Sequence, residues 1–252
     1  WRENRVRGIR NSIDLMFALF PFEEPFFLER GIDTKFVGHP MAESIVLESE
    51  EKSVVNYHAL SKPELVIALM PGSRLSEIER HIEVFLRAGE EVRSLISQRV
   101  RLLVGCSASK YENIIRRYAD NFDCDVIVAD SRAVLMSADI SIVVSGTVSL
   151  ESMLCGTPAI VAYKTSSINY FILKNLVRTK HISLPNILAD MALIPELLQK
   201  SVHPKNLAKE VLGWLSDSER RKIFALNGRA IHKRLKQNGA DLAANMILER
   251  IL

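Results

Sequence analysis

From residue 63 to residue 163 one pattern recurs: a short apolar run with almost no polar interruption, a turn, then a helix-length segment. The runs are Leu65 to Met70 (LVIALM), Val100 to Val104, Asp125 to Ala129, Ile140 to Val144 and Ala159 to Tyr163. A strand with one face in water alternates polar and apolar side chains. A strand that does not alternate is buried on both faces. Between these runs, Ser76 to Ser97 is amphipathic, with Ile78, Ile82, Phe85, Leu86, Val92 and Ile96 at helical spacing. Helices are also predicted over Lys110–Asn121, Ala133–Ala138 and Val148–Leu154. Buried strands alternating with helices leave few architectures open. The fold class is α/β, a Rossmann-like doubly wound parallel sheet.

The ends differ from this middle. Ile13 to Phe20 and Thr34 to Val37 read as strands around a short helix, Glu24 to Arg30, and resemble the last strands of another domain. Residues 1–40 therefore read as an incomplete N-terminal lobe. Residues 41–62, where charge rises (SEEK at 49–52), read as a connection, and residues 63–203 as the sheet lobe. Residues 204–252 form a helical tail, divided at Ser216–Asp217 and at Asn238–Gly239. The chain opens on Trp1 and runs almost directly into a strand, which reads as a fragment of a longer protein.

Of the 252 residues, 48% are hydrophobic and 25% charged, and the net charge is +3. That balance suits a protein with a sizeable core and gives no electrostatic reason to expect nucleic acid. The longest apolar stretch, Leu15 to Phe22, is broken by Pro21 and falls far short of the roughly 20 residues of a membrane span. Cys106, Cys124 and Cys155 show no metal-like spacing and read as small buried thiols of a reducing compartment.

Ligands of doubly wound sheets bind beyond the carboxyl ends of the strands, and three polar clusters fall there. In MPGSRLSEIE (70–79) the strand breaks at Pro71–Gly72, and the amides of Gly72, Ser73 and Arg74 precede a helix. A helix N-terminus attracts phosphate, and a guanidinium adds a bidentate partner; a tight turn with a solvated arginine is the plainer reading. The Walker A spacing is absent. In VVSGTVSLESMLCGTP (143–158), Ser145, Gly146 and Thr147 again bring amides to a strand end, and glycine permits close approach. Glu151 lies one helical turn beyond Thr147, on the same face, where a carboxylate can accept two ribose hydroxyls. On pattern alone a solvated glutamate fits equally well. In HISLPNILAD (181–190), a loop after the basic residues Lys174, Arg178 and Lys180, Asn186 is placed either to bind a base or sugar or to cap a turn.

Two further features carry less. Asp123–Cys124–Asp125 has the D-x-D form of metal-dependent transferases, but it precedes its strand, at the end away from the clusters, so no metal is expected. His39, in GHP after the second strand, is a candidate base with no identifiable acid beside it, and reads as a loop residue.

Taken together, LFPFEEPFF, FVGHPMAES, LMPGSRLSEIERH, SGTVSLESMLCGTPAIVAYK and VRTKHISLPNILAD with IPELLQ resemble the lipid-A-disaccharide synthases, in the family's order and across residues 13 to 200. The resemblance implies a glycosyltransferase-B architecture whose C-terminal lobe binds a UDP-sugar donor without metal or cofactor. It implies transfer from UDP-2,3-diacylglucosamine to 2,3-diacylglucosamine 1-phosphate, giving a β-1,6-linked disaccharide and UDP. Under it, Gly72, Ser73, Arg74, Ser145, Gly146, Thr147, Glu151 and Asn186 bind the donor's UDP, and Arg74 stabilises the departing diphosphate. The general base and the acceptor site belong to a part of the family's N-terminal lobe that precedes Trp1, so little transferase activity is expected of this chain alone. The resemblance also implies a cytoplasmic protein, peripheral to the inner membrane of a Gram-negative bacterium, and a homodimer through the C-terminal helices. Packing of those helices onto the N-terminal lobe is the alternative. Two other readings stand beside it: another UDP-sugar transferase or epimerase of the same fold, and a non-catalytic UDP-binding remnant of a split gene.

Overall fold

The structure is a computed structural model and describes residues 5–45, 63–128, 130–165 and 180–252. Its elements in chain order are α1 (Arg5–Arg10), β1 (Met16–Ala18), α2 (Glu23–Leu28), β2 (Thr34–Phe36), α3 (Pro40–Ser44), β3 (Glu64–Met70), α4 (Leu75–Leu95), β4 (Arg99–Cys106), α5 (Glu112–Ala119) and β5 (Asp125–Val128). There follow α6 (Ser131–Ser137), β6 (Ile140–Val144), α7 (Thr147–Leu154), β7 (Ala159–Tyr163), α8 (Leu184–Ala189), β8 (Glu196–Leu198), α9 (Pro204–Ser216), α10 (Ser218–Leu235) and α11 (Gly239–Ile251). Ala129, Lys174 and Arg178, and most of the expected connection 41–62, lie outside the described residues.

Two units result: residues 1–46 with 229–252, and residues 47–228. The larger holds a six-stranded sheet of order β5-β4-β3-β6-β7-β8, every neighbouring pair parallel. The unbroken apolar runs are the strands buried on both faces: every residue of β6 is buried, as are Ala159 to Ala162 of β7. β5, at the edge, alternates between exposed and half-buried positions. α4 packs against α5 and α9, whereas α7 packs against α6 and α8, and together these helices cover the sheet. The buried face of α4 carries the expected Ile78, Ile82, Phe85, Leu86 and Val92. β3 starts one branch of the sheet, toward β4 and β5, and pairs on its other side with β6, which starts the other branch. The strand order therefore reverses between β3 and β6.

That reversal is held at its amino end by Asp139. Its backbone N–H donates to the Val66 carbonyl (2.9 Å), and its Oδ2 accepts from the Val66 N–H (2.9 Å). Asp139 is 7% exposed, and the register Ile67↔Ile140 to Met70↔Val143 follows directly after it.

In the smaller unit, β1 and β2 form a parallel pair only three residues long, Met16↔Thr34 to Ala18↔Phe36. The strands expected over Ile13–Phe20 and Thr34–Val37 are shorter, and among the described residues each pairs only with the other; the Val37 N–H still donates to the Ala18 carbonyl (3.0 Å) just past β2. The last part of the tail belongs to this unit. The His39 N–H donates to the Leu235 carbonyl (2.8 Å), Gly239 N–H to Glu43 (2.6 Å), and Arg250 pairs with Asp33 (2.8 Å). The packing thus divides the chain near residue 228 and not at the start of the helical tail. His39 caps α3, its Nδ1 accepting from the Met41 N–H, and its ring lies 5.2 Å from that of Phe20.

Asp139→Ala should destabilise the protein by about 1–3 kcal/mol, the cost of leaving the half-buried Val66 N–H without an acceptor. Asp139→Asn retains an oxygen at that position and should recover most of the loss in urea unfolding. Equal losses for both would contradict this role.

Candidate functional site

A cleft of about 390 Å³ opens at the carboxyl ends of β3 and β6, where the strand order reverses. Seven of the eight residues expected from the sequence line it: Gly72, Ser73 and Arg74 after β3, and Ser145, Gly146, Thr147 and Glu151 after β6. Gly105 and Ser107 close the side toward β4, and Ser131 stands opposite Glu151.

The two loops treat their amides differently. After β3 the amides already hold an anion: the Glu77 carboxylate accepts from the N–H groups of Ser73 (3.1 Å) and Arg74 (3.3 Å) and from the Arg74 guanidinium (2.5 Å). Glu77 sits in the first turn of α4, so this is the reciprocal half of a capping box. Gly72 has φ +125°, and a Cβ there would lie 2.5 Å from the Glu77 Cβ and 2.8 Å from Oε2, so glycine is required both by the turn and by the carboxylate. After β6 no carboxylate among the described residues holds the helix N-terminus in this way. Gly146 is the N-cap of α7, at φ +151° and ψ −160°, a conformation open essentially to glycine alone, and it has no side chain with which to cap. First-turn amides of a helix lack intrahelical acceptors. Those of Thr147 and Val148 therefore stand at the cleft wall beside the positive end of the helix dipole.

Glu151, in the second turn of α7, receives a hydrogen bond from the Ser131 hydroxyl on Oε2 (2.9 Å). It is half-buried and lines the cleft, so it is neither a freely solvated side chain nor a core residue. Arg74 keeps its side chain 77% exposed while paired with Glu77.

Asn186 is not in the cleft. It is 1% exposed; its amide nitrogen donates to the Ile194 carbonyl and to Glu196 (both 2.9 Å), and its oxygen accepts from the Ile194 N–H (2.8 Å). The segment expected as a loop is in part helix α8, with Pro185 in its first turn, where a missing N–H is harmless. Glu196 draws this segment together, accepting from the N–H groups of Ile182 and Ser183, the Ser183 hydroxyl and Asn186. The polar residues of ISLPN are structural here, and Glu196, on the unexpected edge strand β8, is their common acceptor.

His81 fastens α4 to the other branch of the sheet. Its Nε2 accepts from the Lys164 N–H (2.9 Å), so the proton of the neutral ring sits on Nδ1 and is donated to the Glu77 carbonyl (2.7 Å). Burial pushes its pKa below the ordinary 6.5. Of the three thiols only Cys106 is buried; Cys124 and Cys155 are half-buried, contrary to expectation. Burial, with Glu151 nearby, pushes the Cys155 thiol at the C-terminal end of α7 up to about 12, so it stays protonated. Asp123 and Asp125 lie at the amino ends of the strands, the latter paired with Arg101 (2.7 Å). No group of three or more metal-ligating side chains occurs among the described residues, and no described helix is long and apolar enough to cross a membrane.

A doubly wound parallel sheet with its cleft at this switch point, and a helical tail that joins the preceding residues, defines the C-terminal part of a glycosyltransferase-B fold. Solved structures share it at low identity. One is a putative UDP-N-acetylglucosamine 2-epimerase from Listeria monocytogenes (17% identical, TM-score 0.57, covering 94% of this chain and 59% of that one). Another is WaaG, a glycosyltransferase involved in lipopolysaccharide biosynthesis (15%, TM-score 0.51, 92% and 62%). The sequence itself matches the lipid-A-disaccharide synthetase family over residues 1–250, and the chain belongs to that family. Lipid-A-disaccharide synthases of Hahella chejuensis and Pseudomonas paraeruginosa are 36% and 37% identical over the whole chain. The chain spans 64% and 66% of their lengths.

Because the folded state holds His81 neutral while the unfolded state takes up a proton near pH 6.5, stability is fully present above that pH and is lost as pH falls below it. The stability difference between wild type and His81→Gln should therefore narrow as pH is lowered from about 7 to about 5. A gap independent of pH would contradict the neutral, doubly bonded ring.

Proposed function

We propose that the cleft binds the UDP part of a UDP-sugar donor. In this reading the whole protein transfers a diacylglucosamine from UDP-2,3-diacylglucosamine to 2,3-diacylglucosamine 1-phosphate, releasing UDP. The observation that carries it is the convergence of Arg74, the uncapped amides of Thr147 and Val148, and Glu151 on one cleft at the switch point. Family membership supports the sugar and the acceptor of this reading, in which the larger unit, residues 47–228, is the donor-binding lobe.

The diphosphate lies over the N-terminus of α7, where two N–H groups and the helix dipole favour negative charge. It does not take the amides of Ser73 and Arg74, which Glu77 holds. Arg74 is the mobile partner: long, exposed and at the rim, it exchanges its contact with Glu77 for the phosphates. As the glycosidic bond to UDP breaks, charge grows on the diphosphate, and donors already aimed at it favour the transition state over the ground state. Glu151 accepts the ribose hydroxyls and fixes the register of the nucleotide along the cleft. The same reading puts the protein at the cytoplasmic face of the inner membrane, where its lipid substrates reside, as a homodimer through the C-terminal helices. Co-sedimentation with inner-membrane vesicles tests the first, and mass in solution tests the second.

Calorimetric titration with UDP should show binding that weakens about tenfold or more in Arg74→Ala and in Glu151→Ala, each losing hydrogen bonds to a charged group. The two losses should differ in kind. Glu151→Ala should weaken uridine as well as UDP, whereas Arg74→Ala should weaken UDP and leave uridine nearly unchanged. Binding of UDP that neither substitution weakens would refute the site.

A further inference from the structure

Ser131 is one residue of the cleft wall that the proposed chemistry does not use, and its hydroxyl is committed to Glu151. It is the first residue of α6, and its place is set by a cap. Asp130 Oδ1 accepts from the N–H groups of Arg132 (3.0 Å) and Ala133 (3.2 Å), which fixes the backbone on either side of Ser131. The hydroxyl therefore approaches Glu151 from a rigid element, across the cleft from the helix that carries the carboxylate.

A glutamate has three side-chain torsions, and ordering them on binding opposes affinity. A donor fixed in advance removes part of that opposition. It also leaves the acceptor side free: a carboxylate offers about four lone-pair sites, and Ser131 takes one of them, on Oε2. Oε1 and the remaining site on Oε2 are enough for the two protons of a vicinal diol. The one proton of the serine is spent on Glu151, so toward the cleft the hydroxyl can only accept.

We propose that Ser131 is a positioning residue for Glu151, and that the pair makes the cleft select a nucleotide with an intact cis-diol ribose over its deoxy forms. This rests on the donor-site reading above and adds to it the part of the ligand that is discriminated and the residue that sets the discrimination.

The test is calorimetry on the full chain with two probes, UDP and 2′,3′-dideoxyuridine 5′-diphosphate. Four proteins are compared: wild type, Ser131→Ala, Ser131→Thr and Glu151→Gln. Wild type should prefer UDP by about tenfold or more, the worth of two hydroxyl hydrogen bonds to a charged acceptor. Ser131→Ala should weaken UDP about three- to tenfold and leave the dideoxy probe unchanged, a pattern that a merely structural residue does not produce. Ser131→Thr keeps the hydroxyl and should restore the preference. Equal weakening of both probes in Ser131→Ala, or no weakening of either, overturns the role of Ser131 while leaving the donor site standing if Glu151→Gln still abolishes the preference. If wild type fails to bind UDP, or if Glu151→Gln keeps the full preference, the donor-site reading falls and the inference with it.

Discussion

The pairing of β3 with β6 is the contact from which the rest of the site follows. Every other neighbouring pair in the sheet extends one branch or the other; this one joins them. At its amino end Asp139 sets the register through two hydrogen bonds to Val66. At its carboxyl end the chain leaves Met70 for α4 and Val144 for α7, two helices that pack with different partners. Two parallel strands whose connections depart in opposite directions cannot close the space above their ends, and a crevice remains there. The cleft is thus a consequence of strand order, and its polar residues are those that a turn and the start of a helix bring to that height.

The two helix starts at this crevice resolve the same electrostatic problem differently. Each has amides without intrahelical acceptors and a positive dipole end. At α4 the chain supplies its own anion, Glu77, and uses Gly72 to make room for it. At α7 the cap is a glycine with nothing to offer, in a backbone conformation that other residues reach only under strain. The helix with the resident carboxylate is secured, in turn, by His81 to the far branch of the sheet. The helix without it carries Glu151, held from across the cleft by Ser131. One start is a fixed frame and the other an open anion site, with Arg74 on the frame side long enough to serve both.

Much of this is legible in the amino-acid sequence alone. Buried parallel strands appear as unbroken apolar runs, so β3, β6 and β7 fall where LVIALM, ISIVV and AIVAY predict them. The rule that ligands sit beyond strand ends is enough to select PGSR and SGT from many polar stretches. Pairing through space is what a linear pattern does not display. Glu77 looks like any first-turn glutamate, and only its position relative to Gly72 reveals an internal anion; a glutamate three residues after the N-cap, the acidic half of a capping box, is the available signal. Ser131 and Glu151 are far apart in the chain and meet because α6 and α7 are neighbours. Asn186 misleads because a polar residue in a distinctive motif invites a ligand, whereas its amide is consumed by Ile194 and Glu196. Pro185 after Ser183 marks a helix start, and β8, three residues at a sheet edge, carries too little pattern to be seen.

The central claim is that the nucleotide diphosphate lies on α7 and the ribose on Glu151, with the amides of Ser73 and Arg74 still held by Glu77. A crystal structure of the chain with UDP tests it most directly. The account predicts phosphate oxygens within hydrogen-bond distance of the Thr147 and Val148 N–H groups and of Arg74, the ribose hydroxyls on Glu151, and Glu77 unmoved. A diphosphate seated on the Ser73 and Arg74 amides with Glu77 expelled, or a nucleotide bound away from the ends of β3 and β6, would contradict it.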